Sequence, residues 1–174
     1  MKMYKLRHVK REIRVLGLAV KTSGAGNQFY AVGILYRGRL WLDGVMMTTA
    51  HGPDITEDVV GMIRESPHHP QIRAVLLDGD LVCDEATIDP VSLSSGASRP
   101  VIALNFQTDR LIENEHVCEL DLTQEGASKP ALSVGLRSRV ALRVLEMASR
   151  SDEMPEALRV AELVVSALSG GGPT

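Results

Sequence analysis

A chain of 174 residues, 44% hydrophobic and 24% charged, has apolar material for one core and a length typical of one domain. The net charge of −3 excludes a protein that coats nucleic acid over its whole surface, and the 3% aromatic content speaks against single-strand binding by base stacking. No run of about eighteen apolar residues is present, and the charged start MKMYKLRHVKRE lacks the apolar stretch of a signal peptide.

The expectation is therefore a cytoplasmic protein with no membrane partner. Cys83 and Cys118 lie far apart and outside any C-x-x-C spacing, so they read as small buried hydrophobes and not as a zinc knuckle or a disulfide.

Residues 1–12 form a basic N-terminal arm: Lys2, Lys5, Arg7, Lys10 and Arg11, continued by Arg14, face Glu12 alone. Such a segment either contacts phosphates, with Lys10, Arg11 and Arg14 as the candidate nucleic-acid-binding residues, or is a solvated lead-in to the first strand. A single domain is expected over residues 13–168, with residues 169–174 a disordered tail.

Ile13 to Val20 is apolar at nearly every position and rich in branched residues, the mark of a strand buried on both faces. Phe29 to Leu35 and Leu40 to Met47 flank the glycine-containing loop YRGR and read as a hairpin, which completes a three-stranded antiparallel meander. Asp43, within the hairpin, reads as a bulge or turn-side acid. From Asp54 the period changes. Asp54 and Glu57 have the spacing of an N-cap and its box partner, and Ile55, Val59, Met62 and Ile63 follow at helical spacing. Proline in SPHHP ends that helix, and neighbouring His68 and His69 point apart too strongly to share a metal.

Ile72 to Leu77 is the fourth strand and Pro100 to Asn105 the fifth, with a loop or short helix around Asp89 to Ser94 between them; strand, helix, strand implies a right-handed parallel crossover. In residues 106–135 only Val117 to Leu122 alternates enough to suggest an edge strand. Two helices close the chain, roughly Leu136 to Ser149 and Pro155 to Leu168. The whole is an α/β protein with a ribonuclease H-like mixed sheet: three antiparallel strands, then parallel strands, with flanking helices.

The best candidate for chemistry is Asp78, which ends a strand expected in mid-sheet, because ligands of open α/β sheets collect beyond the carboxyl ends of the strands. As a bare pattern Asp78-Gly79 reads first as a turn. Asp54 is a second candidate acid, explained also as a helix cap, and Glu162 a third, explained also as a solvated face residue. His51 beside Asp54 is a weak acid/base candidate. GAGNQF at 24–29 is followed by neither lysine nor helix, which removes a phosphate loop or dinucleotide fingerprint.

The segments REIRVLG (11–17), YRGRLWLDGV (36–45), IRAVLLDG (72–79), RPVIAL (99–104) and MPEALRVAELVVSAL (154–168) resemble, in order and spacing, an archaeal family catalogued as domain of unknown function ninety-nine. That family is similar to endonuclease V and is associated with metal-dependent cleavage of DNA near deaminated bases such as deoxyuridine. The resemblance implies Asp78 as a metal ligand for magnesium or manganese, DNA or RNA as partner, and Asp54 and Glu162 as supporting catalytic acids.

One departure stands out. Family members end the first strand in Gly-Ile-Asp-Asp-Gly, and here the corresponding residues are Gly17-Leu18-Ala19-Val20-Lys21. The resemblance thus implies an endonuclease with an impaired or altered metal site, or a non-catalytic nucleic-acid- or partner-binding module on the same scaffold.

Overall fold

The computed structural model describes residues 1–106, 113–124, 127–151 and 154–170. The expected meander is present as β1 (Arg14–Thr22), β2 (Gln28–Arg37) and β3 (Trp41–His51), paired antiparallel in sequence order. Helix α1 (Thr56–Glu65) then crosses to β4 (Ala74–Asp78), which lies parallel to β1; α2 (Pro90–Ala97) leads to β5 (Val101–Leu104), parallel to β4. After β6 (Val117–Gln124) and β7 (Ala127–Val134) come α3 (Ser138–Ala148) and α4 (Glu156–Ser169). The strands form one sheet in the order β3-β2-β1-β4-β5-β7-β6. Among the described residues no helix is long and apolar enough to cross a membrane.

The unbroken apolar run of β1 follows from its place in mid-sheet. Leu16, Leu18 and Val20 join the core beneath α1 and α2, with Val59, Ile63 and Leu93; Val15 and Ala19 join the core beneath α3 and α4, with Val144, Leu158 and Ala161. Burial on both faces removes the need for polar alternation. Gly17 lets α4 lie against β1, because a Cβ there would run into the backbone of Ala157 and Leu158. A side chain such as Leu158, fully covered at this contact, is worth about 2–5 kcal/mol against truncation to alanine.

Strand β7 was not expected, and it separates β5 from β6. Its polar start and Pro130 hide it: the last rung with β5 is Leu104–Ala131, so Pro130 lies just where β7 keeps only β6 beside it, a place that tolerates proline. The edge position expected for Val117 to Leu122 holds, as β6. The cysteines are only partly covered and unpaired. Ser169, expected in a disordered tail, ends α4, with Gly170 capping it; residues 171–174 of that tail lie outside the described residues.

The basic arm is not a free solvated segment. Tyr4, Leu6 and Val9 pack on the α3/α4 core, and the Tyr4 amide donates to the Gly135 carbonyl at 2.8 Å. At its other end the Gly38 amide donates to Ile13 at 2.7 Å, and Gly38 adopts φ 59° where a Cβ would meet the Arg11 carbonyl. Residues 4–13 thus strap the amino end of the sheet, with Lys5, Arg7, Lys10 and Arg11 turned to solvent.

Candidate functional site at the carboxyl end of β4

Asp78 is the last residue of β4, and it is only 3% exposed. The β1–β4 register runs Val15–Ala74, Leu16–Val75, Gly17–Leu76, and the next pair is Val20–Val82, so Ala19 and Asp78 both lie between these two points on neighbouring strands. Alternation puts both on the α3/α4 face, since Ala74, Leu76 and Ala19 share that core. Val20 belongs to the opposite core. Of the two positions where relatives were expected to carry acids, Ala19 alone shares the face of Asp78, and it is completely covered.

Both hydrogen bonds to Asp78 among the described residues fall on Oδ1, from the Asp80 amide and from Asn105 Nδ2, each at 2.9 Å. Asn105 follows β5 at φ 53°, a left-handed conformation that asparagine tolerates better than most residues, and its carbonyl fills the space a Cβ at position 79 would need. Burial pushes the Asp78 carboxyl above the usual carboxylate range. The Asn105 and Asp80 donors pull it back, the Asp80 charge raises it further, and Lys129 lowers it. These groups line a depression of about 230 Å³ whose remaining wall is largely apolar, from Leu104, Leu122, Leu145 and Met154. A buried carboxyl of this kind can hold and release a proton closer to neutrality than an exposed one.

The other sequence candidates lie elsewhere. Asp54 precedes α1 in the layer on the opposite face, where its Oδ1 accepts from the Thr56 amide at 3.0 Å and the Thr56 hydroxyl at 2.7 Å; these bonds hold its carboxyl below the ordinary range. No capping box forms with Glu57: the N-cap is Ile55, and the turn is closed from Asp54, one residue earlier. Glu162 is half-buried on α4 and does not line the depression. One turn on, Ser166 Oγ accepts from Lys21 Nζ at 2.7 Å, so the lysine that follows the emptied acid positions is tied to α4. Lys10, Arg11 and Arg14 stand at the amino end of the sheet, the end away from Asp78. Arg14 Nε there pairs with Asp43 at 2.7 Å, and Arg37 completes the grip at 2.9 Å. Asp43 does sit at a bulge, where the register shifts between Leu35 and Tyr36.

A magnesium or manganese ion needs several oxygen donors in a fixed cage. Among the described residues no group of three or more histidine, cysteine or acidic side chains could hold one, and the neighbours bonded to Asp78 are hydrogen-bond donors. The described residues therefore do not fit the expected metal. Sequence reading missed Asn105 and Lys129 as neighbours of Asp78. An asparagine just after an apolar strand is a usable signal for the first; Lys129 lies in the strand that was not foreseen.

A family model described as endonuclease dU matches residues 11–129. A UPF0215 protein of Methanopyrus kandleri is 31% identical over 190 residues, covering 96% of each chain. Among solved structures, a protein of unknown function from Archaeoglobus fulgidus aligns with TM-score 0.69 and 20% identity, covering 91% of this chain and 99% of that one. Endonuclease V of Ciona intestinalis, in complex with a 24mer DNA containing an inosine followed by a ribo-adenosine, aligns with TM-score 0.59 and 9% identity, covering 88% of this chain and 84% of that one. At such identities the likeness is one of fold, and the sheet order and flanking helices are those of the ribonuclease H-like architecture that was expected.

Proposed function

The chain belongs to the endonuclease dU family, and from that premise we propose that it is an endonuclease V-like, nucleic-acid-directed protein in which metal-dependent hydrolysis is impaired, so that binding outlasts cutting. The observation that carries the reading is the alanine on the neighbouring strand: Ala19 is fully covered on the α3/α4 face that also carries Asp78, where a second oxygen ligand is needed. Asp78 keeps its place at the end of the central strand, and its neighbours bind it as a hydrogen-bond acceptor. With its proton affinity raised by burial and Lys129 partly offsetting its charge, Asp78 is suited to exchange a proton with a water or a ligand hydroxyl in the depression.

A second reading, residual cutting of DNA near deaminated bases with magnesium or manganese, is favoured by the retention of Asp78 itself. One assay separates the two. Wild type and Asp78→Asn are incubated with uracil- or hypoxanthine-containing duplexes and either metal, and cutting and binding are measured side by side. Salt-sensitive binding by both proteins without cutting by either supports impaired hydrolysis; cutting by wild type that Asp78→Asn abolishes establishes the second reading instead.

A further inference from the structure

At the end of β1 and β4 remote from Asp78, the strap encloses an open cleft of about 500 Å³ whose lining includes Lys5, Arg7, His8, Lys10, Arg14 and Arg73, against Glu12 as its acid. Arg14 is engaged by Asp43. Among the described residues, Lys5, Arg7, Lys10 and Arg73 make no side-chain hydrogen bond or ion pair. Four unpaired cations on one rim are conspicuous in a chain of net charge −3, because they repel one another unless an anion joins them. Their positions are fixed by the half-buried Tyr4, Leu6 and Val9 and by the backbone bonds to Gly135 and Gly38. The same anchors turn Tyr4, Leu6 and Val9 inward, and the arm's exposed apolar residues, Met1 and Met3, stand outside the cleft lining, so the cleft itself presents mainly charge.

We propose that this amino-end cleft is the docking surface for the phosphodiester backbone of nucleic acid. The inference deepens the nucleic-acid-directed reading and rests on it. Lysine and arginine spaced along an open cleft recognise phosphates without reading bases, and the scarcity of aromatic residues is no handicap for such contacts. Four residues of β4, Ala74 to Leu77, separate Arg73 of the cleft from Asp78, roughly 16 Å at the usual strand rise. Phosphates held at the cleft lie at the opposite end of β4 from the Asp78 depression, so this grip does not depend on the acid site, which agrees with binding that outlasts cutting.

The test measures anisotropy of a labelled DNA duplex with the full chain over about 50–200 mM salt. Four phosphate contacts give wild type a loss of affinity on the order of 100-fold across that range. Lys10→Glu/Arg73→Glu is expected to bind about 10-fold or more weaker at the low-salt end, with a salt slope shallower by about two. Arg64→Glu/Arg143→Glu makes the same change in net charge on α1 and α3 and is expected to stay within about 3-fold of wild type. Lys5→Glu/Arg7→Glu repeats the test on the strap alone, with thermal melts to confirm folding. Cleft variants that bind like the α1/α3 control overturn this inference and leave the nucleic-acid reading standing. Wild type that binds no nucleic acid overturns that reading itself. Binding to phosphatidylglycerol vesicles as tight as binding to DNA, lost in the same cleft variants, overturns the choice of nucleic acid as the ligand.

Discussion

The two ends of β1 and β4 handle charge in opposite ways. At the carboxyl end the acid Asp78 is buried and held by two donors, with an alanine in place of an acid on its face of the neighbouring strand. At the amino end cations stand in solvent along a strap, and the acid drawn among them, Asp43, is gripped by Arg14 and Arg37. Burial amplifies each charge, so the number and placement of buried groups are decisive, and replacing one acid by alanine can empty a site. Exposed charges are individually weak and screened by salt, and a surface built from them fades one contact at a time. A chain that loses catalysis can therefore keep its hold on a polyanion.

The contrast is most severely tested by putting an acid back. Ala19→Asp sets a second, fully covered carboxylate on the face that carries Asp78, and is expected to cost about 3–5 kcal/mol in thermal unfolding. Magnesium or manganese should then raise the Tm of the variant and leave wild type unmoved; equal responses would remove Ala19 as the missing ligand position.

Gly38→Ala acts on the other end. It forces a left-handed backbone on alanine and drives its Cβ against the Arg11 carbonyl, a loss of about 1–3 kcal/mol. The strap should loosen, with faster amide exchange at Gly38 and weaker DNA binding; unchanged binding would mean that the strap's position does not matter.

Asp43→Asn should have a smaller effect with a defined pH signature. The hydrogen bond from Arg37, with help from Arg14, holds the Asp43 carboxyl below its ordinary value of 3.8. Its contribution is present above that value and lost as pH falls through the lowered folded-state value. The variant should therefore melt about 2–4 °C below wild type near neutrality, with the gap closing in acid. It also releases Arg14 and Arg37 at the amino end, so DNA binding should tighten modestly, measured by the same anisotropy assay.

Asp78→Asn has the opposite sign. Burial raises the Asp78 carboxyl above its ordinary value, so the ionised form costs stability near neutrality, and that cost disappears as pH falls below the unfolded-state value. The amide can still accept from Asp80 and Asn105. The variant is expected to melt higher than wild type at neutral pH, by roughly 2–4 °C for each kcal/mol released, with no gain in strong acid. A lower Tm at neutral pH would mean that the carboxylate is stabilised where it lies.

The meander, the crossover through α1 and the position of Asp78 were legible in the sequence because each left a local pattern: a two-sided apolar run, a change of period, an acid at a strand end. What was hidden depends on partners distant in sequence. Pro130 sits in a strand because β5 has ended beside it. Ala19 and Val20 look alike in the chain, and only the two cores show that one shares the face of Asp78 and the other faces away. The arm's anchoring was invisible because Tyr4 is fixed by Gly135 and the Ser94 carbonyl, neither of which its own segment foretells.

That anchoring also orders events during synthesis. Residues 4–13 emerge from the ribosome well before Gly135 exists, and the bond from the Tyr4 amide can close only after β7 has been made and paired. Among the parts of the domain, a segment made early is fastened late. Until then its cations accompany the nascent chain unbraced, and the cleft they form is a product of completed folding.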